Sequence, residues 1–254
     1  MFGMPVYDSV AEHYDKTRGG EKRGDEFAAE LDRRLPANRE AVLEVGVGTG
    51  VVALGLRRRG RIVIGVDLAA AMLSRAAARL GPVVVRGDAR GLPFADASVP
   101  NAISVWVIHA VDPPEALFAE VARVVRPGGR YLVCPTNRPA GLDPIEPILT
   151  ALFARAERRH PTWRQRHVTA ADILAWGAQA GFDGHLEVFA ERSWVTSAAE
   201  QTQSIRDRVW PALQGLDDEA FEKVTRPAFE ALAALPDGPI VQRAEADVVV
   251  LCRD

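Results

Sequence analysis

The most constraining feature of the chain is a short apolar run that leads directly into three glycines at alternate positions. Residues 41–50 read Ala-Val-Leu-Glu-Val-Gly-Val-Gly-Thr-Gly, and residues 51–56 that follow have helical character. Glycine allows positive φ angles and lets a ligand approach bare backbone. The segment therefore predicts a strand, a tight turn and a helix whose free N–H groups favour electron-rich or anionic ligand groups.

The spacing of the glycines separates two kinds of nucleotide site. Gly46, Gly48 and Gly50 form G-x-G-x-G, whereas the dinucleotide fingerprint G-x-G-x-x-G needs its third glycine one position later, where this chain has Val51. An acidic residue, Glu44, stands two positions before the first glycine. The resulting E-x-G-x-G-x-G pattern resembles the first motif of S-adenosylmethionine (SAM)-dependent methyltransferases. The resemblance makes Glu44 and the three glycines candidate cofactor-binding residues.

A second predicted strand, residues 61–67, ends at Asp67, about twenty residues past the glycines. A carboxylate at this place can accept hydrogen bonds from both hydroxyls of a ribose. NAD enzymes also bind a ribose through a carboxylate at this place, so Asp67 alone does not distinguish SAM from NAD. Asp67 could instead cap a helix over 69–80. Leu68 and Met72 would flank the adenine, or they serve as ordinary helix packing.

A third predicted strand, residues 82–89, ends in Gly-Asp-Ala and continues as Arg-Gly-Leu-Pro-Phe-Ala-Asp-Ala-Ser. This G-D-A-x-x-L-P-F-x-D-x-S string closely resembles the third motif of the SAM-dependent methyltransferases. The resemblance implies that Asp88 accepts a hydrogen bond from the adenine amino group and that the backbone of Ala89 contacts the ring. The alternative is that Asp88 caps a turn.

The segment before the first strand contains Ala-Glu-His-Tyr-Asp-Lys-Thr-Arg, residues 11–18. This phrase resembles the lead helix of many small-molecule methyltransferases, which places Tyr14 and Arg18 over the SAM carboxylate. Arginine suits such a role because its guanidinium can contact a carboxylate with two parallel hydrogen bonds. The alternative for both residues is a surface helix with one packed aromatic ring.

A fourth predicted strand and its exit, residues 101–112, carry the candidates nearest the expected chemistry. Val105 would lie at the carboxyl end of the strand, beneath the methionine part of SAM. His109 follows the strand and would face the methyl-transfer region, either as a catalytic base or as part of the pocket wall.

Residues 117–130 read L-F-x-E-V-x-R-V-x-R-P-G-G-R, which resembles the segment that follows the fourth motif of the same family. The Pro-Gly-Gly sequence predicts a turn before a fifth strand. The resemblance implies an α/β fold: a Rossmann-like, seven-stranded, mostly parallel sheet in the order 3-2-1-4-5-7-6, with helices on both faces.

The resemblance is strong over residues 7–135 and weaker beyond them. We expect residues 1–135 to form the SAM-binding core with its lead helices, and residues 136–254 to complete the fold and carry helical insertions that cap the substrate. Four tryptophans fall in this second part, and they either shape an apolar substrate cavity or pack in the core: Trp163, Trp176, Trp194 and Trp210. His160 and His167 are further candidates for a base.

The composition and net charge of the chain limit the kinds of partner that it is expected to bind. A formal net charge of −3 gives no bulk electrostatic reason to expect nucleic acid as a partner. No apolar run reaches the ~20 residues of a membrane span and no signal peptide is evident, so we expect a cytoplasmic protein without a membrane partner. Arginine far outnumbers lysine, which suggests a bacterial source with GC-rich DNA. No metal-binding spacing occurs, and the oligomeric state stays open.

The favoured function is a SAM-dependent methyltransferase acting on a small organic molecule, with S-adenosylhomocysteine as product. Two alternatives stay open at this point: an NAD(P)-dependent oxidoreductase on a related fold, and a non-catalytic SAM-binding protein. The sequence leaves open the identity of the methyl acceptor, the choice between O, N and C methylation, and the use of a general base.

Overall fold

The computed structural model describes residues 14–17, 19–135, 138–139, 143–159 and 168–254. The chain divides into two compact units. Unit 1 comprises Met1–Thr136, Arg166–Phe189 and Asp247–Asp254. Unit 2 comprises Asn137–Gln165 and Ala190–Ala246.

Helices and strands alternate through the first half of the chain, as the glycine turn and the strand spacing predicted. The strands are β1 Val42–Val45, β2 Val63–Asp67, β3 Val84–Arg86, β4 Val99–Val105, β5 Val125–Cys134, β6 Arg138–Pro139, β7 Phe182–Thr196 and β8 Ile240–Arg253. The helices are α1 Tyr14–Thr17, α2 Gly20–Arg34, α3 Val51–Arg58, α4 Ala70–Leu80, α5 Pro114–Val124, α6 Glu146–Arg159, α7 Ala170–Gln179, α8 Ala198–Arg206, α9 Pro211–Gln214 and α10 Asp218–Ala233. A short 3₁₀ helix spans Ile108–Ala110.

The sheet confirms the predicted fold class. Strands β1 to β5 pair in parallel in the order β3-β2-β1-β4-β5, and β8 pairs antiparallel with β5. Strand β7 pairs with β8, so the order expected for seven strands is present. The sheet contains an eighth strand that the sequence did not predict, because the long β8 also pairs with the two residues of β6.

The Pro-Gly-Gly sequence was predicted as a turn before the fifth strand, and this boundary was wrong. Strand β5 begins earlier, at Val125, which pairs with Val99 before the register shifts to Asn101 opposite Arg130. The intervening residues form an irregularity within the paired strand. Gly129 fits there because a Cβ atom would lie 2.3 Å from the carbonyl oxygen of Pro100.

The core of unit 1 lies on the sheet and includes a chain of buried polar groups. The Tyr131 hydroxyl donates to Ser104 Oγ at 2.9 Å, and Ser104 Oγ donates to the carbonyl oxygen of Val45 at 3.2 Å. These bonds join the carboxyl halves of β5, β4 and β1. Since buried polar groups are costly without partners, the chain fixes the relative position of the strands that end at the candidate site.

Unit 2 has a hydrophobic core of its own, formed by α6, α8, α9 and α10. Leu152, Leu213 and Val224 are almost completely buried in it. Trp210 packs against Phe153 in the same core, with ring centroids 5.4 Å apart.

Candidate active site

The glycine turn after β1 has the backbone that its sequence predicts. Gly46, Gly48 and Gly50 have φ angles of 79°, 54° and 82°. At Gly46 an added Cβ would lie 2.4 Å from the side chain of Val107, so only glycine fits. At Gly48 an added Cβ would meet no atom within 4 Å. The backbone of Gly48 therefore borders open space, where a ligand can approach it closely.

Asp67 lies at the end of β2, beside this turn. Its Oδ2 accepts a hydrogen bond from the Gly48 N–H at 2.8 Å, and its Oδ1 accepts one from the Ala69 N–H at 2.9 Å. The helix that follows begins at Ala70 with Ala69 as its N-cap residue, so Asp67 is not the N-cap. These two bonds hold the Asp67 carboxylate beside the open backbone of Gly48.

Glu44 is the least solvated charged group near the turn. Only 2% of its surface is exposed, and its Oε2 has no hydrogen-bond partner among the residues that the structure describes. Burial raises the pKa of Glu44 to about 8, and the nearby Asp67 carboxylate adds to the rise. The Ala53 N–H opposes it by donating to the Glu44 carboxylate. An unpartnered buried carboxylate oxygen is a strong acceptor for any donor that reaches it.

Asp88 follows β3, which places it at the same edge of the sheet as Asp67. Its carboxylate forms an ion pair with Arg90 at 2.7 Å and accepts the Arg90 N–H at 2.9 Å. Hydrogen bonding to the Arg90 guanidinium lowers the pKa of Asp88. Asp88 therefore caps a turn here, as the alternative interpretation held, while 37% of its side chain stays exposed.

The residues predicted to flank the adenine differ in exposure. Leu68 is 36% exposed, whereas Met72 is 2% exposed and packs with Ala69 and the ring of Tyr14. The side chain of Met72 therefore packs in the interior, as expected of an ordinary buried helix residue, whereas that of Leu68 is accessible to a ligand. Ala89 is half-buried against the main core of unit 1.

The lead helix is tied to the glycine turn by a network that the sequence did not reveal. Thr49 Oγ1 donates to Asp15 Oδ1 at 2.6 Å, and Arg79 donates both to the carboxylate of Asp15 and, at 2.6 Å, to the carbonyl oxygen of Thr49. The network holds Tyr14 beside α4. Arg18 lies outside the described residues.

The carboxyl end of β4 carries an aromatic group. Val105 is buried, and Trp106 after it has a left-handed φ of 53° and a backbone N–H bonded to the carbonyl oxygen of Cys134 at 3.0 Å. The guanidinium of Arg23 stacks over the Trp106 indole at 3.4 Å, and Phe27 contacts its edge. Non-glycine residues with positive φ concentrate at functional sites, which is the signal that marks Trp106 here.

Of the three candidate histidines, the structure describes only His109. His109 is half-buried in the 3₁₀ helix Ile108–Ala110, three residues beyond Trp106. His160 and His167 lie outside the described residues, as does Trp163. Of the other tryptophans, Trp176 packs against Phe118 in the core of unit 1, and Trp194 is exposed and donates to Gln242 at 3.1 Å.

These features suit SAM. The open backbone at Gly48 leaves room for a ligand at the carboxyl end of β1. A carboxylate at the end of the second strand suits the hydroxyls of a ribose. A mostly parallel sheet with this strand order, a G-x-G-x-G turn and carboxylates at the ends of its second and third strands defines the class I SAM-dependent methyltransferases.

Comparison with known proteins shows that the chain belongs to this methyltransferase family. A family model described as methyltransferase domain matches residues 43–133. The demethylmenaquinone methyltransferase of Mycobacterium tuberculosis is 34% identical over 186 residues, 69% of this chain and 77% of the relative. The protein of the same name from another Mycobacterium species is 36% identical over 194 residues, covering 72% and 82%.

Solved structures share the fold. A SAM-dependent methyltransferase of Thermotoga maritima superimposes with a TM-score of 0.62 at 19% identity, over 99% of both chains. Phosphoethanolamine N-methyltransferase 2 of Haemonchus contortus, solved with S-adenosylhomocysteine, gives a TM-score of 0.55 at 19% identity, covering 97% of this chain and 57% of that one.

The oxidoreductase alternative is set aside by this family membership. Among the described residues, none of the helices has the length and apolar character needed to cross a bilayer. In the same part of the chain, no group of three or more His, Cys, Asp or Glu residues is arranged to hold a metal ion.

Proposed function

We propose that the protein transfers the methyl group of SAM to an O, N or C nucleophile of a small organic molecule, and that the favoured acceptor is a ring carbon of the reduced, hydroquinone form of a demethylmenaquinone-like quinone. The observation that carries the SAM site is the junction of Gly48 and Asp67, where open backbone lies beside a carboxylate at the end of β2. The names of the mycobacterial relatives support the acceptor.

In this proposal, different residues bind different parts of SAM. Asp67 binds the ribose hydroxyls, and the backbone of Gly46, Gly48 and Gly50 borders the methionine part. Glu44 supplies its free oxygen to a donor at the same end of β1. Burial keeps Glu44 protonated in the unliganded protein below about pH 8, and a nearby cation favours its ionised form, so the ammonium of the methionine part is the donor that fits best.

Adenine lies at the end of β3 in this proposal, between Leu68 and the backbone of Ala89. Asp88 accepts a hydrogen bond from the adenine amino group, which requires the Arg90 guanidinium to share or release one carboxylate oxygen. Tyr14 covers the cofactor from the lead helix, with Arg18 as its proposed partner at the carboxylate, and Val105 lies beneath the methionine part.

When bound, SAM supplies a methyl group that is already strongly electrophilic. The protein therefore needs mainly to orient the acceptor in line with the methyl–sulfur bond and to exclude water. The acceptor gains the methyl group and loses a proton. His109 is our candidate for the base that takes this proton, because it follows the strand end where Val105 lies.

Residues 136–254 are proposed to supply the substrate cap that the sequence predicted. Unit 2 has its own helices and its own core. The relatives are bacterial proteins, and a bacterial, cytoplasmic location remains our prediction.

Isothermal titration of the purified chain with SAM and S-adenosylhomocysteine, and with NADH and NADPH as controls, tests the cofactor. We expect micromolar binding of the first two ligands alone. A methyl-transfer assay with radiolabelled SAM then compares demethylmenaquinone analogues, reduced to the hydroquinone, with phenol and amine acceptors. Binding of a nicotinamide cofactor without binding of SAM would overturn the assignment of both Gly46–Gly50 and Asp88.

A further inference from the structure

Unit 2 contains a cavity that none of the proposed SAM contacts uses. Its volume is about 510 Å³, and it is lined by Arg155, Arg158 and Arg159 from α6 and by Lys223 and Val224 from α10. The two helices pack against each other, with Val224 buried at their contact. Four cationic side chains therefore converge on one concave space.

The three arginines share one face of α6. Their spacing of i, i+3 and i+4 places them as neighbours on the helix surface, where like charges repel each other. The carboxyl end of a helix favours cations, which offsets part of this repulsion because α6 ends at Arg159. The helix end does not explain Lys223, which reaches the same space from α10.

Nothing in the described part of the chain neutralises these cations. None of the four forms a hydrogen bond or ion pair there, whereas other arginines of unit 2 do. Arg208 binds Asp218 at 2.7 Å, and Arg226 binds Glu222 at 2.8 Å. The cavity thus concentrates positive charge in a chain whose net charge is −3.

We propose that this cavity binds the phosphate group of a small molecule. Guanidinium groups match phosphate oxygens through paired, charge-assisted hydrogen bonds, and three of them with an ammonium suit a dianion or a diphosphate better than a single carboxylate. The cavity is of the size of ordinary ligand pockets, roughly 300–1,000 Å³. Its concave shape favours a discrete ligand over the headgroups of a flat lipid surface.

Titration of the full chain with inorganic pyrophosphate and orthophosphate tests the proposal. We expect saturable binding that weakens as ionic strength rises from about 0.05 M to about 0.5 M, because salt screens exposed charges. The double variant Arg155→Gln/Arg159→Gln should raise the pyrophosphate Kd by about tenfold or more through the loss of charge-assisted hydrogen bonds. Lys223→Gln, on the other helix, should weaken binding in the same direction.

The matched control is Arg33→Gln/Arg58→Gln, which removes the same charge from two exposed, ion-paired helix positions of unit 1. This variant should keep the wild-type Kd, and circular dichroism should show that all variants are folded. Equal weakening in both double variants would reduce the effect to net charge and overturn the site. Absence of saturable pyrophosphate binding, or binding of phosphatidylserine vesicles in its place, would also overturn it. The SAM titration is independent of both results.

Discussion

The backbone N–H of Gly48 donates a 2.8 Å hydrogen bond to Oδ2 of Asp67. The glycine turn after β1 and the end of β2 are therefore joined by a direct bond. The other oxygen of Asp67 accepts from the Ala69 N–H, so one carboxylate sets the position of both backbone segments. The residue proposed to bind the ribose thus also shapes the turn that borders it.

Replacement of Asp67 by Ala should abolish measurable SAM binding and lower the free energy of unfolding by about 1–3 kcal/mol, because two backbone donors lose their acceptor. Calorimetry with SAM and urea denaturation measure the two effects separately. Asp237→Ala, at an exposed position, should change neither. Unchanged SAM affinity in Asp67→Ala would show that the ribose assignment is wrong.

Asp88 and Arg90 give a second, directional prediction. Asp88→Ala removes the proposed adenine acceptor, so the SAM Kd should rise by about tenfold, the equivalent of one good hydrogen bond to a charged group. Arg90→Gln removes a competitor for the same oxygens, so SAM should bind as well as before or better. If Arg90→Gln weakens binding as much as Asp88→Ala does, the ion pair serves only to hold the turn.

The fold was predictable from the sequence at positions where only one type of residue satisfies the local steric requirement. The glycines of the first turn have positive φ angles, as their sequence positions indicated. The early start of β5 and the added β6 were not predictable, because both depend on the length of strands that are distant in sequence.

The sequence predicted which strand ends form the candidate site, but it did not predict the side-chain contacts made there. Asp67 ends β2 and Asp88 follows β3, as expected. That Arg90 engages Asp88, and that Arg79 reaches Asp15, depends on side chains meeting across turns and helices, which no motif spacing specifies. The burial of Met72 likewise follows from how α4 packs, which helical periodicity left open.

The network around Arg79 predicts a change in SAM affinity from a residue that does not border the open space at Gly48. Arg79→Met removes the bonds to Asp15 and to the carbonyl oxygen of Thr49. The lead helix and the turn then lose a shared anchor, so KM for SAM should rise several-fold with little change in kcat. Arg75→Met, one turn earlier on the same helix, is the matched control. A fall in kcat alone would contradict a positioning role.

His109 is tested by separating binding from chemistry. If it takes a proton from the acceptor, His109→Ala should lower kcat by about 10²-fold or more while the SAM Kd stays constant. His185→Ala, at an exposed position in β7, should change neither quantity. A wild-type rate in His109→Ala would remove it as a base.

Glu44 predicts how stability responds to pH. Burial raises its pKa in the folded protein to about 8, well above the value of about 4.3 expected in the unfolded chain. Between these two values the folded state holds a proton that the unfolded state has released. Because stability falls with rising pH wherever the folded state binds more protons, this carboxyl group should destabilise the protein progressively from about pH 4 to about pH 8.

Replacement of Glu44 by Gln removes that titration while keeping an acceptor for the Ala53 N–H. Relative to wild type, the variant should gain stability as pH rises from 5 to 8.5, by at most about 4–5 kcal/mol for a shift of this size. Urea denaturation at about pH 5, 6.5 and 8.5 measures the difference. Glu115→Gln, exposed at the start of α5, should show no such trend. A difference between Glu44→Gln and wild type that is constant with pH would mean that Glu44 is ionised in the folded protein throughout this range.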